Sequence, residues 1–258
     1  MTLPGPRTLA TALALLVLLA PAIAPYDPRL SVAGPLQAPS QAHWLGTNDI
    51  GQDVLSQWLF AARATLAVAL GVTALATPLA WSAGLVAGLS ARAEAPVLAV
   101  VDLLLALPAL PLYMLVLTLI GPGQLSVALM LGLLGWPTFA QVVRAQVIAT
   151  RQAAFVEAAA CLGATPVRIA TRHILPATLG ILPAHLVLTL RFAVFAEATL
   201  AFLGLGEPAS PSWGAMLGQA FANPLVFASP AWTWLVLPPA LGLAVLILLG
   251  GALAPRPR

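Results

Sequence analysis

Residues 66–89 read LAVALGVTALATPLAWSAGLVAGL, a long run without a charged side chain. A helix needs about 20 predominantly apolar residues to cross the hydrocarbon core of a bilayer. The rest of the chain has the same character, because 60% of its 258 residues are apolar and only 7% are charged. A soluble domain carries about 25% charged residues. The composition therefore predicts an all-α protein whose main solvent is lipid.

Six stretches are apolar and long enough, or nearly so, to cross a membrane as helices. They are Leu9–Ala24, Leu66–Leu89, Val97–Ile120, Leu125–Ile148, Ala177–Leu205 and Ala231–Leu253. The first is short, and Arg7, the apolar run and the small residues at 22–24 also fit a cleaved signal peptide. The sequence thus predicts six transmembrane helices, with cleavage after the first as the alternative.

The distribution of arginine predicts the orientation of these helices. If the N-terminus lies inside, eight arginines fall in internal segments, whereas only Arg29 and Arg63 fall in outer ones. This is the bias that the positive-inside rule describes. We therefore expect both termini in the cytoplasm, an external loop at Pro25–Phe60 and an internal loop at Thr150–Pro176.

The internal loop, called the elbow below (residues 150–176), holds the densest run of charge in the chain. Residues 155–162 read FVEAAACL, which favours a short helix, and Gly163 follows as a residue type that often ends helices. Thr165 is a candidate N-cap, and Pro166 suits the first turn of a second helix. The pattern predicts a helix–turn–helix that offers a rigid surface to a soluble partner.

The elbow also resembles the signature loop of permease subunits in binding-protein-dependent ABC importers. The shared pattern is Glu-Ala-Ala, three residues, Gly and, about ten residues later, Leu-Pro. In that family the loop forms a coupling helix that fits a groove on the ATPase subunit, and Pro176 here would mark the return into the membrane. The resemblance implies an ATPase-coupling set made of Glu157, Ala158, Ala159, Gly163, Leu175 and Pro176.

Other segments resemble the dipeptide, oligopeptide and nickel branch of the same family. Within the elbow, His173 stands where the wider family usually has isoleucine, as in this branch. Residues 24–28, 198–206 and 211–214 match as well, and the resemblance covers nearly the whole chain. It implies an external motif that contains His43, Gly46, Thr47, Gly51 and Asp53. Two departures are glutamines where the family usually has arginine, namely Gln52 and Gln57.

The family resemblance implies an architecture and a set of partners. The expected fold is a type I ABC importer permease-like bundle, with an N-terminal helix and external loop at residues 1–60 and the permease domain at residues 61–258. The expected partners are a second permease subunit, two cytoplasmic ATPase domains, an external substrate-binding protein and membrane lipid. The expected location is the bacterial inner membrane, and the expected cargo is a di- or oligopeptide or nickel.

Three charged residues fall inside or close to predicted spans, namely Asp102, Arg191 and Glu197. A charge at the centre of a span costs about 2.5–3.5 kcal/mol on insertion scales, and such residues tend to face the bundle interior. Each is a candidate for the translocation pathway, with structural pairing or snorkelling as the alternative. Because Arg191 and Glu197 are six residues apart, they lie on different faces of a helix and are not expected to pair.

Several function classes lack the residues that they need. The chain has no lysine, so a Gly-x-x-x-x-Gly-Lys-Ser/Thr nucleotide loop cannot form, and ATP would be hydrolysed on another polypeptide. We expect no cofactor on this chain, no metal site, since the three histidines fall on different sides or depths of the membrane, and no nucleic-acid partner. No convergent cluster indicates a membrane enzyme. The remaining alternative is an ion-coupled secondary transporter that works without an ATPase.

Overall fold

The computed structural model describes residues 19–20 and 22–253. Within that part of the chain, regular structure is helical apart from two isolated β-bridges, Ser31 with Gln52 and Thr47 with Asp53. The mostly helical fold that the composition predicts is therefore confirmed. The first predicted span, Leu9–Ala24, lies largely outside the described residues.

The helices are numbered in chain order. They are α1 (Val54–Leu89), α2 (Ala91–Ala106), α3 (Ala109–Ile120), α4 (Gln124–Leu134), α5 (Pro137–Arg151), α6 (Ala154–Cys161), α7 (Pro166–Ile169), α8 (Leu175–Leu179), α9 (Leu182–Phe202), α10 (Trp213–Ala222), α11 (Pro224–Ala228), α12 (Trp232–Leu235) and α13 (Leu237–Leu253). A π-helical turn, Ala170–Ile174, joins α7 to α8.

Four helical segments of the described residues are long and apolar enough to cross a membrane. They are α1, the consecutive helices α4 and α5, α9, and the consecutive helices α12 and α13. The pair α2 and α3 makes a fifth if the two helices together form one broken span. The described part of the chain thus supports a multi-pass protein with four or five spans, and the count of six stays a prediction.

The predicted third span, Val97–Ile120, is divided into two helices in the structure. Helices α2 and α3 meet at an angle of 90°. The break lies at Leu107 and Pro108, which both have extended backbone conformations. Proline cannot donate a backbone hydrogen bond, and its ring pushes the preceding residue out of the helical region. The apolar pattern continues through the break, which is why hydropathy alone did not reveal it.

The predicted external loop, Pro25–Phe60, is wrong at its C-terminal end, because α1 begins at Val54 rather than at Leu66. Asp53 is the N-cap of α1, and its carboxylate accepts a hydrogen bond from the backbone N–H of Ser56. A side-chain acceptor at the N-cap satisfies a backbone donor that the helix leaves free. Since α1 also runs through the boundary at residues 60 and 61, the two-domain division stays a prediction.

Helix α1 is the centre of the bundle and packs against α4, α5 and α9. Two of its glycines make the contact with α5 close. A Cβ atom on Gly84 would lie 2.6 Å from the carbonyl oxygen of Ala140, and one on Gly88 would lie 2.6 Å from Val147 Cγ1. The close helix packing expected of a small-xxx-small pair is therefore observed.

The first residues of α1 form one end of the bundle, called the loop end below, together with residues 24–53 and 203–231. Trp213 is fully buried there, and its indole N–H donates to the carbonyl oxygen of Trp58 at 3.2 Å. The indole N–H of Trp58 in turn donates to the carbonyl oxygen of Pro238 at 2.8 Å. These bonds join α1, α10 and α13. The elbow lies at the opposite end, where Arg151 donates to the carbonyl oxygen of Gly88.

Candidate functional site

The turn of the elbow has the geometry that its sequence predicts. Gly163 follows the end of α6 with φ = +83°, a left-handed conformation that favours glycine. Its N–H donates to the carbonyl oxygen of Ala160, and the N–H of Ala164 donates to that of Ala159. This pair of bonds is a Schellman motif, which satisfies carbonyl oxygens left without a hydrogen bond at a helix end. The predicted helix stop at Gly163 is confirmed.

The second helix of the elbow also starts as predicted. The hydroxyl of Thr165 accepts a hydrogen bond from the N–H of Arg168 at 3.3 Å, and Pro166 occupies the first turn. The helix then passes through the π-helical turn before Pro176, which lies near the start of α8. Pro176 has no N–H and cannot donate the backbone hydrogen bond of an α-helix. The wider π-helical turn before it accommodates this missing bond.

The elbow exposes apolar side chains together with charges of both signs, since Glu157, Arg168 and Arg172 are all exposed. The side chains of Leu162, Val167 and Phe155 are 89%, 72% and 54% exposed. Glu157 and Ala158 are also exposed, and the ion pairs found among the described residues do not involve Glu157. Such apolar side chains on a helical protrusion are typical of a protein contact surface.

Two buried side chains attach the elbow to the bundle. Val156 is 6% exposed and Ile174 is 2% exposed, and Ile174 packs with Val143 and Val147 of α5. The ring of Phe155 lies 6.0 Å from that of His173, which ties α6 to the π-helical turn. The elbow is therefore a rigid extension of α5. Of the other predicted coupling residues, Ala159 and Gly163 form the turn, whereas Leu175 and Pro176 lie exposed on α8.

At the loop end, the predicted external motif folds over the first turn of α1. The Nδ1 atom of His43 lies 3.0 Å from Oδ1 of Asp53, and both residues are buried. The other carboxylate oxygen of Asp53 accepts from the N–H and the hydroxyl of Ser56. The ring of Tyr26 lies 5.0 Å from that of His43. These contacts give the motif a structural role in fixing the start of α1.

The remaining motif residues shape the loop itself. Thr47 donates its hydroxyl to the carbonyl oxygen of Gly34 at 2.7 Å. Gly46 and Gly51 have φ values of +68° and +81°. A Cβ atom on Gly46 would lie 2.5 Å from the carbonyl oxygen of Gln37, so the site demands glycine both in conformation and in space.

The two glutamines that replace the family's arginines belong to a neutral network. Gln57 is buried, and its amide donates to the side-chain oxygen of Gln52 at 2.5 Å. Asn48 donates to the same oxygen at 2.8 Å, while its own side-chain oxygen accepts from the N–H groups of Ile50 and Gln52. Amide groups here bond to one another and leave no positive charge at this position.

The three charged candidates for the pathway are not brought together. Asp102 is exposed on α2 and is in neither of the ion pairs of the described residues. Arg144 pairs with Glu94, which lies two turns before Asp102 on α2. Arg191 is half-buried on α9 and packs over α13, where a Cβ atom on Gly250 would lie 3.0 Å from its Cγ.

Glu197 lies on α9 at the loop end and is only 5% exposed. The hydroxyls of Ser212 and Thr65 lie beside its carboxyl group. Among the described residues, however, its Oε2 atom has no hydrogen-bond partner, and neither has the hydroxyl of Thr65. As expected, Arg191 and Glu197 do not pair.

Unpartnered polar atoms concentrate where α1 meets α9. Seven buried side-chain atoms of the described residues lack a hydrogen-bond partner, and all but that of Arg144 lie on these two helices. They belong to Thr65, Thr77 and Trp81 on α1, and to His185, Thr189 and Glu197 on α9. Buried polar groups are nearly always hydrogen-bonded. A polar row therefore runs along the α1–α9 contact.

His185 lies towards the elbow end of this row, in an aromatic surrounding. Its ring centroid is 4.5 Å from that of Phe139 and 5.9 Å from that of Trp81. In the described part of the chain, no group of three or more His, Cys, Asp or Glu side chains is placed to hold a metal ion.

Several members of these sites carry no signal of buried charge in the sequence. Thr65 and Ser212 are uncharged, so a charge inside a predicted span does not mark them. A usable signal was present, since the polar residues Thr73, Thr77 and Trp81 recur every four residues in the apolar α1. That spacing places them on one helix face.

The described residues form helices of membrane length, enclose polar groups inside the bundle and expose a helix–turn–helix at one end. These features define a multi-pass membrane protein of the transporter class. Residues 76–256 match the family of binding-protein-dependent transport system inner membrane components, and the chain belongs to that family. It is a permease component of an ABC importer.

Curated relatives agree with this assignment. A Brucella suis protein provisionally named a peptide permease is 35% identical over 241 residues, which cover 92% of this chain and 80% of the relative. A second Brucella suis protein, provisionally named a peptide transport system permease, is 34% identical over 90% of this chain and 79% of its own length. The glutathione transport system permease protein GsiD of Pectobacterium atrosepticum is 31% identical over 74% of this chain and 64% of its own length.

Proposed function

We propose that this chain is one of two permease subunits that move short peptides across the inner membrane, driven by a separate ATPase that docks on the elbow. The names of the relatives, which refer to peptide and glutathione transport, support peptides as the cargo rather than nickel. An external binding protein delivers the cargo. The chain itself binds no cofactor, and ATP is hydrolysed on the partner.

The observation that carries the proposal is the elbow. Leu162 is almost fully exposed at a turn that a Schellman motif holds rigid, and Glu157 offers an exposed carboxylate on the preceding helix. A docked partner would bury the apolar side chains, which stabilises a complex by about 25 cal/mol per Å² of apolar surface removed from water.

Packing supplies a route from the elbow to the bundle. Ile174 packs on Val143 and Val147, and α5 meets α1 closely at Gly84 and Gly88. A displacement of the elbow therefore moves α5 and, through it, α1. ATP-driven closure of the partner would favour one of two bundle states, open to the outside or to the inside, to the extent that the partner binds that state better.

The orientation completes the proposal. The elbow and both termini lie in the cytoplasm, and the loop end receives the binding protein. Cys161 is the only cysteine of the chain and is exposed on the elbow, so it serves as a native label. A membrane-impermeant maleimide should label it in inside-out vesicles and not in intact cells, and bound ATPase should protect it. Labelling from the cell exterior would exclude this orientation.

The docking function is tested with Gly163→Glu in the assembled importer, reconstituted with its partners. A bulky charge at the turn should abolish cargo transport per ATP hydrolysed while the chain still inserts. Gly121→Glu is the matched control, because Gly121 also has a positive φ, of +93°, and an added Cβ would meet no atom of residues 19–20 or 22–253 within 4 Å. Normal stimulated transport by Gly163→Glu would contradict the docking role.

The same preparation addresses the ion-coupled alternative. Uptake that persists without the ATPase, and that stops when the ion gradient is collapsed, would indicate a secondary transporter. Uptake that requires both the ATPase and ATP would support the proposal.

A further inference from the structure

A small polar cavity lies at the loop end of α9 and is not part of the elbow. Its polar lining consists of Gln124, Glu197, Glu207, Ser210 and Ser212, and it has room for about one water-sized group. Among the residues that the structure describes, the lining includes two carboxyl groups and no basic side chain. The cavity is therefore acidic and rich in oxygen.

Glu197 is the group that most needs a ligand. It is 5% exposed, and its Oε2 atom is buried without a hydrogen-bond partner. A buried carboxyl group that is neither paired nor bound to a cation holds a proton and stays neutral, so an ionised Glu197 requires a cation beside it. In the described part of the chain, no basic residue pairs with it.

The other lining groups can supply neutral oxygen atoms. The amide of Gln124 donates to Ser210 Oγ at 2.9 Å, so its nitrogen is engaged and its carbonyl oxygen stays available. The hydroxyls of Ser212 and Thr65 lie beside the Glu197 carboxyl group. Carboxylate, amide and hydroxyl oxygens are the ligands that hard cations prefer.

The cavity also has an approach from the loop end. Gln124, Glu207 and Ser210 line a neighbouring surface groove as well, together with Arg29. A cation that enters this groove first meets Glu207, which is half-buried, and then reaches Glu197.

We propose that this cavity binds one small monovalent cation between Glu197, Ser212 and Gln124. The cation is either a metal ion such as sodium or the ammonium head of a small amine. A single site of this size selects against bulky cations. If the cavity binds an ammonium head, the free amino group of a peptide could enter it. Only this extension to peptides rests on the proposed function.

The test measures thermal unfolding of the full chain in nanodiscs, followed by tryptophan fluorescence. Sodium, potassium or methylammonium chloride replaces N-methyl-D-glucamine chloride at constant ionic strength. A bound cation should raise the midpoint saturably, by roughly 3–6 °C at ten times its dissociation constant. Glu197→Gln should remove this response, whereas Asp49→Asn, which changes a loop-end carboxylate outside the cavity, should keep it.

The responses separate the sources of the cation. A rise with sodium or potassium indicates a metal ion, and a rise with methylammonium alone indicates an ammonium head. Equal midpoints of the wild-type chain in every salt would overturn the proposal, and so would a Glu197→Gln chain that responds like wild type. If Glu197→Gln does not fold, Gln124→Ala takes its place and should weaken the response at least threefold in half-saturating concentration. None of these readouts depends on transport, so they stand apart from the peptide function.

Discussion

Nδ1 of His43 and Oδ1 of Asp53 lie 3.0 Å apart in a buried contact directly above the first turn of α1. The second oxygen of the same carboxylate caps that helix by accepting from Ser56. One side chain thus fixes both the loop that covers the helix and the helix start itself.

Replacing Asp53 with alanine should lower the free energy of unfolding by about 2–4 kcal/mol, because the helix cap and a buried charged hydrogen bond are lost together. Denaturant titration of the chain in micelles measures the change. Asp27→Ala is the control, since Asp27 is exposed and accepts only a local bond from Arg29 N. A loss no larger than that of the control would show that the capping geometry contributes little.

Two glycines of α1 should respond in opposite directions to alanine. Gly84→Ala places a Cβ 2.6 Å from Ala140 O and from Val143 Cβ, and overpacking of this kind costs about 1–3 kcal/mol. Gly71→Ala meets only Ala128 Cβ at 3.5 Å and should gain up to about 1 kcal/mol of helix propensity. The thermal unfolding midpoints of the two variants measure this difference in stability. Equal midpoints would contradict the close packing at Gly84.

Pro176→Ala should uncouple ATP hydrolysis from transport without loss of folded protein. Alanine restores an N–H that can close an α-helical bond, so the π-helical turn can relax and rotate the elbow by about 100° per residue of register. Cargo transported per ATP is the measurement. Pro166→Ala should behave like wild type, because a proline in the first turn forgoes no bond. Normal coupling in Pro176→Ala would mean that the π-helical turn is not needed.

Asp102→Asn should change the free energy of unfolding by no more than about 0.5 kcal/mol, because the side chain is exposed and outside the ion pairs of the described residues. Transport by the assembled importer then tests its role in the pathway directly. A severalfold fall in uptake at unchanged stability would support that role, whereas unchanged uptake would remove Asp102 from the candidates.

The structural features that depend only on neighbouring residues, such as helix ends, were predicted best from the sequence. Gly163, Thr165 and Pro166 specify a helix stop and start through their own backbone and side-chain chemistry, and the structure has both. Hydropathy also located the membrane-length helices of the described residues. It missed the break at Leu107 and Pro108, because proline within an apolar run is compatible with both a kink and a full turn of the chain.

Contacts between distant segments could not be predicted in this way. Glu94 pairs with Arg144 across 50 residues, and Thr65 meets Glu197 across more than 130. Such pairs depend on how helices are arranged side by side, which one sequence without relatives does not specify. For the same reason the external motif was recognised by resemblance, while its buried pair of His43 and Asp53 became visible only in three dimensions.

The length of α1 has a mechanical consequence. Its 36 residues span about 54 Å, whereas the hydrocarbon core is about 30 Å thick. Even at a steep tilt of about 40° the core accommodates only about 39 Å, so roughly 15 Å of this rod stands in the headgroups or in water. Its first turns carry the exposed Arg63 and are the part suited to those surroundings. A tilt begun at Gly88 is thereby carried along one continuous helix, past Pro78, to a surface beyond the lipid where a soluble protein can touch it.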